Sequence, residues 1–127
     1  MSKFRTPLKN VRGLGSAKSG TEHFIHQRLT ATALVFLGIW FLCLLVSLVG
    51  ADYVTAVETV SKPWNAVLLV GLLVAMFWHA QLGLQVVLED YIHNSLLALA
   101  LQVIVKFVAV LGAIVSIFAV ARIVLGN

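Results

Sequence analysis

Three long apolar runs constrain this chain more than any other feature. Leu29 to Val49 is 21 residues without a charge, and Trp64 to Leu88 is 25 without one. Leu96 to Ala121 is 26 residues carrying a single charge, Lys106. A bilayer core about 30 Å thick is crossed by about 20 helical residues. Each run is long enough, and the last two must tilt or extend past the core. Only helices and closed barrels satisfy every backbone group in lipid. None of the runs alternates with period two, so the runs are helices. The composition agrees: 61% of residues are apolar and 11% charged, against about 25% charged in a soluble domain. A water-soluble monomer, a disordered chain, a repeat array and a disulfide-stapled fold are excluded; the one cysteine, Cys43, sits mid-span. The expected fold class is an all-α membrane protein with three transmembrane helices in one domain.

The connections support these limits. Residues 50–63 contain Asp52, Glu58, Lys62 and Pro63, which are water-facing types followed by a helix-start signal. Residues 89–95 are short and polar, so helices two and three are antiparallel neighbours. Tyr53, Trp64 and Tyr91 fall near run ends, where an aromatic belt lies. Six of the nine basic residues (Lys3, Arg5, Lys9, Arg12, Lys18 and Arg28) precede the first run, with Glu22 the only acid among them. A basic block ahead of an apolar run reads as a membrane-surface segment rather than a nucleic-acid site. Residues 1–28 are therefore expected on the cytoplasmic side and residues 29–127 in the anchor domain, with the C-terminus outside. No cleavable secretory signal is visible. Pro7, Gly13, Gly15 and Gly20 make the N-terminal segment a poor amphipathic presequence.

Ionisable groups inside a span are costly and point to function. His79 lies nine residues before Leu88, about 13 Å from that end of the helix. Gly71, Ala75, His79 and Gly83 recur every four residues and form one slanted stripe. Such a shallow groove accepts a close helix or a flat ring system whose metal the imidazole ligates. Helix packing around a hydrogen-bonded histidine, haem ligation and a proton relay all remain open on geometry. His79 is the sole histidine within a run, so a haem with two axial histidines at that depth would need a partner chain. Asp90 and Tyr91 stand at the inner mouth of the same helix. A phenol there can donate a hydrogen bond to the carbonyl of a lipid-soluble ligand, and a carboxylate can deliver protons from water. Arg28, at the inner end of helix one, serves as a topological anchor or as the partner of an anionic group. Lys106, about 15 Å into the third run, is expected to face a protein partner or a hydrated pocket. No acid lies within a span, and no phosphate loop, paired-cysteine motif or nucleophile constellation appears. Cofactor carriage and anchoring are the roles that remain.

The order of these features resembles a family. A basic N-terminus, three helices and HAQLGLQVVLEDY (His79 to Tyr91) together resemble the small hydrophobic membrane anchor of succinate dehydrogenase, respiratory complex II. RTPLKNVRGLGSAKSGTEHFIHQRLTATAL (Arg5 to Leu34) is similar to the N-terminal region of alphaproteobacterial members. The resemblance implies half of a heterodimeric helical bundle that holds a b-type haem, with His79 as an axial ligand of the iron and Arg28 near the propionates. It implies a ubiquinone site lined by Asp90 and Tyr91, the tyrosine bonding a quinone carbonyl. It also implies a second, larger cytochrome b anchor subunit, an iron–sulfur subunit and a flavoprotein subunit as partners, in a bacterial inner membrane. The chain would be non-catalytic by itself. A haem-free assembly anchor and a small proton or ion channel using His79 and Lys106 are the rival readings. The Gly13–Gly20 segment is expected to lie on the cytoplasmic face against a soluble subunit.

Overall fold

A computed structural model describes the backbone over residues 17–126 and side chains over residues 21–126. Four helices follow in order: α1 (Ala17–Ser47), α2 (Tyr53–Ser61), α3 (Pro63–Tyr91) and α4 (Ser95–Leu125). Three are long and apolar enough to cross a membrane: Thr21–Ser47 within α1, then all of α3 and all of α4. The helical membrane architecture expected from the runs is the architecture found.

The helix ends follow local chemistry. At the start of α2, the Asp52 carboxylate accepts a hydrogen bond from the Thr55 backbone N–H at 3.0 Å. Pro63 opens α3, where its missing N–H removes no helical bond. The Asn94 side chain accepts from the N–H groups of Leu96 and Leu97, both at 3.1 Å, and so caps α4. Gly126 closes α4 at φ 74°, and Gly50 ends the turn after α1 at φ 79°, a left-handed conformation suited to glycine.

Two boundaries differ from the apolar runs. Helix α1 begins at Ala17, well before Leu29, because Glu22, Gln27 and Arg28 are good helix formers and no proline interrupts residues 17–28. Gly13 lies outside the described residues, while Gly20 is within α1. The first connection is not merely a loop: nine of its residues form α2. Val54, Val57 and Val60 recur three apart behind the Asp52 cap, the local signal for that helix. It is pinned by Ser61 Oγ donating to the Ile123 carbonyl at 3.1 Å and by Asn65 Nδ2 donating to the Thr59 carbonyl at 2.7 Å.

Helix α3 is central. Helix α1 packs on one side of it and α4 on the other, and α1 and α4 do not pack together among the described residues. Contacts pair Gln27 with Gly83, Thr30 with His79 and Leu37 with Gly71, so α1 and α3 are antiparallel. The result is a single row of helices with two open faces. Its buried apolar side chains are few: Leu44, Ala66, Ala75 and Leu82. No described residue of α4 is buried, and Phe36, Phe107 and Phe118 each expose over 60% of their surface. A water-soluble protein would not leave so much apolar surface uncovered. Lipid or other helices must cover these faces. The thiol of Cys43 is free on an exposed side chain, as expected of a residue without a structural bridge.

Candidate functional site

The small stripe of α3 receives α1. A Cβ built on Gly71 would lie 3.8 Å from Leu37 Cδ1, one on Gly83 would lie 3.8 Å from Gln27 Nε2, and Ala75 between them is buried. Small residues bring the two backbones close. His79 is thereby held in the seam, half-buried, rather than facing an open groove.

Its two ring nitrogens meet different neighbours. Nδ1 lies 3.0 Å from Thr30 Oγ1, and Thr30 is only 5% exposed. Nε2 lies 3.5 Å from Gln27 Nε2, at the outer limit of a hydrogen bond. Thr30 Oγ1 also donates back along α1, to the carbonyls of His26 at 2.8 Å and Gln27 at 3.1 Å. Gln27 Oε1 and His23 Nε2 are buried with no hydrogen-bond partner among the described residues. His23, Gln27 and Thr30 thus line one face of α1 at positions i, i+4 and i+7, opposite His79 and Gly83. That polar spacing is legible in the sequence, and it is the signal by which Thr30 and Gln27 can be found. His26 is turned to Trp78, with ring centroids 5.4 Å apart.

The other expected site residues do not converge on His79. The Arg28 guanidinium is exposed and stacks over the Phe24 ring at 5.1 Å. Asp90 and Tyr91 end α3, eleven and twelve residues beyond His79, about 16 and 18 Å along the axis. Both are exposed, Tyr91 to 77%. Lys106 is exposed beside a narrow crevice that it shares with Gln81, Gln85 and Gln102. Near the Tyr91 end of α3, Glu89 Oε1 accepts from Gln85 Nε2 at 2.9 Å and Gln102 Nε2 at 3.3 Å, joining α3 to α4. No cluster of three or more His, Cys, Asp or Glu residues capable of holding a metal ion occurs among the described residues. A haem iron asks only one imidazole of a chain, so that observation does not bear on His79.

Known proteins are similar to this chain in sequence. The family model for the succinate dehydrogenase/fumarate reductase transmembrane subunit matches residues 2–121. A relative from Rickettsia bellii, named succinate dehydrogenase hydrophobic membrane anchor subunit, is 34% identical over 117 residues, covering 92% of this chain and 94% of its own. A protein of the same name from Rickettsia conorii is 31% identical over 119 residues, 91% of this chain and 94% of its own. The Paracoccus denitrificans protein of that name is 27% identical over 125 residues, 98% of this chain and 95% of its own. No solved structure matches the chain. With three membrane-length helices and a family match that spans nearly all of them, the chain belongs to the succinate dehydrogenase/fumarate reductase transmembrane subunit family, as a non-catalytic membrane anchor.

Proposed function

We propose that this chain anchors a succinate:ubiquinone oxidoreductase in the bacterial inner membrane and contributes one axial ligand to a b-type haem and part of a quinone site. The observation that carries the haem assignment is the donor set at His79. One ring nitrogen is engaged by Thr30, while the other faces a Gln27 amide at 3.5 Å whose own oxygen is buried without a partner among the described residues. An imidazole held at one nitrogen and weakly contacted at the other is the arrangement a metal-ligating histidine needs. The donor set fits the group once the Gln27 amide yields its place. His79 Nε2 would hold the iron, and the haem, when bound, would supply one-electron storage. Since His79 is the sole histidine within the apolar runs, the other axial ligand would come from a second, larger cytochrome b anchor subunit. The open faces of the α1–α3–α4 row are where that subunit and lipid would lie. Arg28 lies near the start of the apolar run of α1, where a guanidinium can pair with a propionate once it leaves the Phe24 ring.

The succinate chemistry belongs to partners: a flavoprotein subunit oxidises succinate to fumarate, and an iron–sulfur subunit carries two electrons to ubiquinone. At the end of α3, Tyr91 donates its phenolic hydrogen bond to a quinone carbonyl. Asp90, in contact with water, returns protons to the site as the quinone takes up two electrons and two protons. The basic N-terminal segment sets the topology, with that segment and the Asp90–Tyr91 end of α3 cytoplasmic and the C-terminus of α4 periplasmic.

A haem-free anchor is the second reading, favoured by the stripe's contact with α1 and by the protein hydrogen bond to His79. Reduced-minus-oxidised spectra of the purified complex separate the two. His79→Ala should abolish the b-type band while the complex still assembles. A band of undiminished height would remove His79 as ligand.

A further inference from the structure

We infer that Thr30 is the positioning residue of His79: its hydroxyl fixes the imidazole as the Nδ1–H tautomer and so aims the Nε2 lone pair at the ligand. The inference rests on the haem reading for the identity of that ligand, but its geometry is independent of it.

Counting protons fixes the tautomer. A threonine hydroxyl has one proton and two lone pairs. At Thr30 that proton is directed back to α1, shared between the His26 carbonyl at 2.8 Å and the Gln27 carbonyl at 3.1 Å. What Thr30 Oγ1 has left for His79 is a lone pair, and Nδ1 lies 3.0 Å away. With the hydroxyl proton on α1, Nδ1 carries the ring proton and donates it. Neutral imidazole has a single ring proton, so Nε2 is left as the bare nitrogen. The group facing Nε2 is the Gln27 side-chain amide. Gln27 holds that position poorly: the contact is 3.5 Å and its Oε1 is buried and unpaired among the described residues. A stronger electrophile than an amide proton would displace it at little cost.

Thr30 is suited to the task because it is itself immobile. It is 5% exposed, and two carbonyls one turn back hold its oxygen. A threonine that bonds its own helix in this way has little rotamer freedom left. Hydrogen-bonded supports of this kind raise ligand basicity and orient the ring, and their removal typically costs 10–100-fold in metal affinity.

The test uses the whole purified complex with His79→Ala, Thr30→Val and Thr30→Ser. Thr30→Val keeps the shape and removes the acceptor. We expect its b-type band to persist, its haem to transfer to an apo-haem scavenger about 10–100-fold faster, and its midpoint potential to rise. A tenfold preferential loss of oxidised-state affinity corresponds to about 59 mV for one electron. Thr30→Ser, which keeps the hydroxyl, should restore both readouts to wild type. If Thr30→Val matches wild type in transfer rate and potential while His79→Ala loses the band, Thr30 has no such role and the haem reading stands. If the band survives His79→Ala, the haem reading itself fails. Should Thr30→Val not assemble, redox-difference infrared spectra of the wild-type complex with ¹⁵N-labelled histidine decide the matter. An exchangeable, hydrogen-bonded Nδ1–H supports the assignment, and a proton on Nε2 overturns it.

Discussion

The two long seams of α3 are built from opposite materials. Against α1, the seam around His79 is polar: His79, Thr30 and Gln27 face one another between small residues. Against α4, the middle is apolar and tight. A Cβ on Gly112 would lie 2.5 Å from Phe77 Cε1, so the glycine makes room for the ring. The hydrogen bonds on that side lie toward the Tyr91 end of α3, where Gln85 and Gln102 meet Glu89, with Gln81 and Lys106 lining the crevice beside them. One helix thus presents a chemical face and a packing face. In lipid, the hydrophobic effect does not favour one apolar contact over another, so van der Waals fit and hydrogen bonds decide which helices associate. The α4 seam relies on fit alone over most of its length. The α1 seam uses polar groups that can be satisfied only in one register.

That contrast can be broken experimentally. The largest effect is expected from Ala75→Leu, which forces three added carbon atoms into the buried centre of the α1 seam. Overpacking of this kind costs about 1–3 kcal/mol. Because the added bulk lies one turn from His79 and displaces the imidazole itself, the complex should lose both thermal stability and b-type absorbance. Gly112→Val is the matched perturbation of the other seam. It should cost a similar about 1–3 kcal/mol in thermal stability as Phe77 is displaced, and leave the absorbance band in place. Equal loss of the band in both variants would show that the seams are not chemically distinct.

Tyr91 belongs to neither seam. Tyr91→Phe removes one hydrogen bond, worth about 1 kcal/mol or roughly fivefold. It should slow quinone reduction by that factor and spare succinate oxidation by an artificial acceptor. Parallel loss of both activities would count against a quinone contact.

The smallest effect concerns α2. Hydrogen bonds from Thr55, the side chain first and the backbone N–H next, hold the Asp52 carboxyl below the usual carboxylate range. A depressed folded-state value means that the cap stabilises α2 at any pH above the unfolded carboxylate's pKa. Its contribution is lost as pH falls through the folded value. Amide protection factors in α2, corrected for the intrinsic exchange rate at each pH, should therefore fall slightly on acidification below the ordinary carboxylate range. In Asp52→Ala they should already be lower at neutral pH, with no further step from this group.

Much of this is legible in the sequence, for physical reasons that differ by residue. His79, Asp90 and Tyr91 stand out because an ionisable group in an apolar run, or an aromatic–acid pair at its edge, is anomalous against its own neighbours. The stripe Gly71–Ala75–Gly83 also declares a close approach, although not to which helix. Thr30 and Gln27 do not stand out singly, because each is ordinary at the start of an apolar run; only their spacing with His23 marks a polar face, and which helix that face meets is set by α3. Helix α2 is hard to see because nine residues between two dominant runs carry a weak signal, although Asp52 and the valines spaced three apart supply it. Arg28 is legible as an interfacial cation, while its stacking on Phe24 is not.

From its sequence alone, this protein is a chain of three membrane-crossing helices, basic at one end, with one imidazole in the oily interior. Those properties are local. Run length, charge placement and the cost of an uncovered peptide group in lipid determine them with no knowledge of who packs against whom. The tertiary structure decided the rest: that α3 lies between α1 and α4, that the small stripe is filled by α1, and that a threonine 49 positions away meets the histidine nitrogen. Helix register in a membrane is decided by the fit of particular side chains across a seam, and no stretch of one helix contains that information by itself.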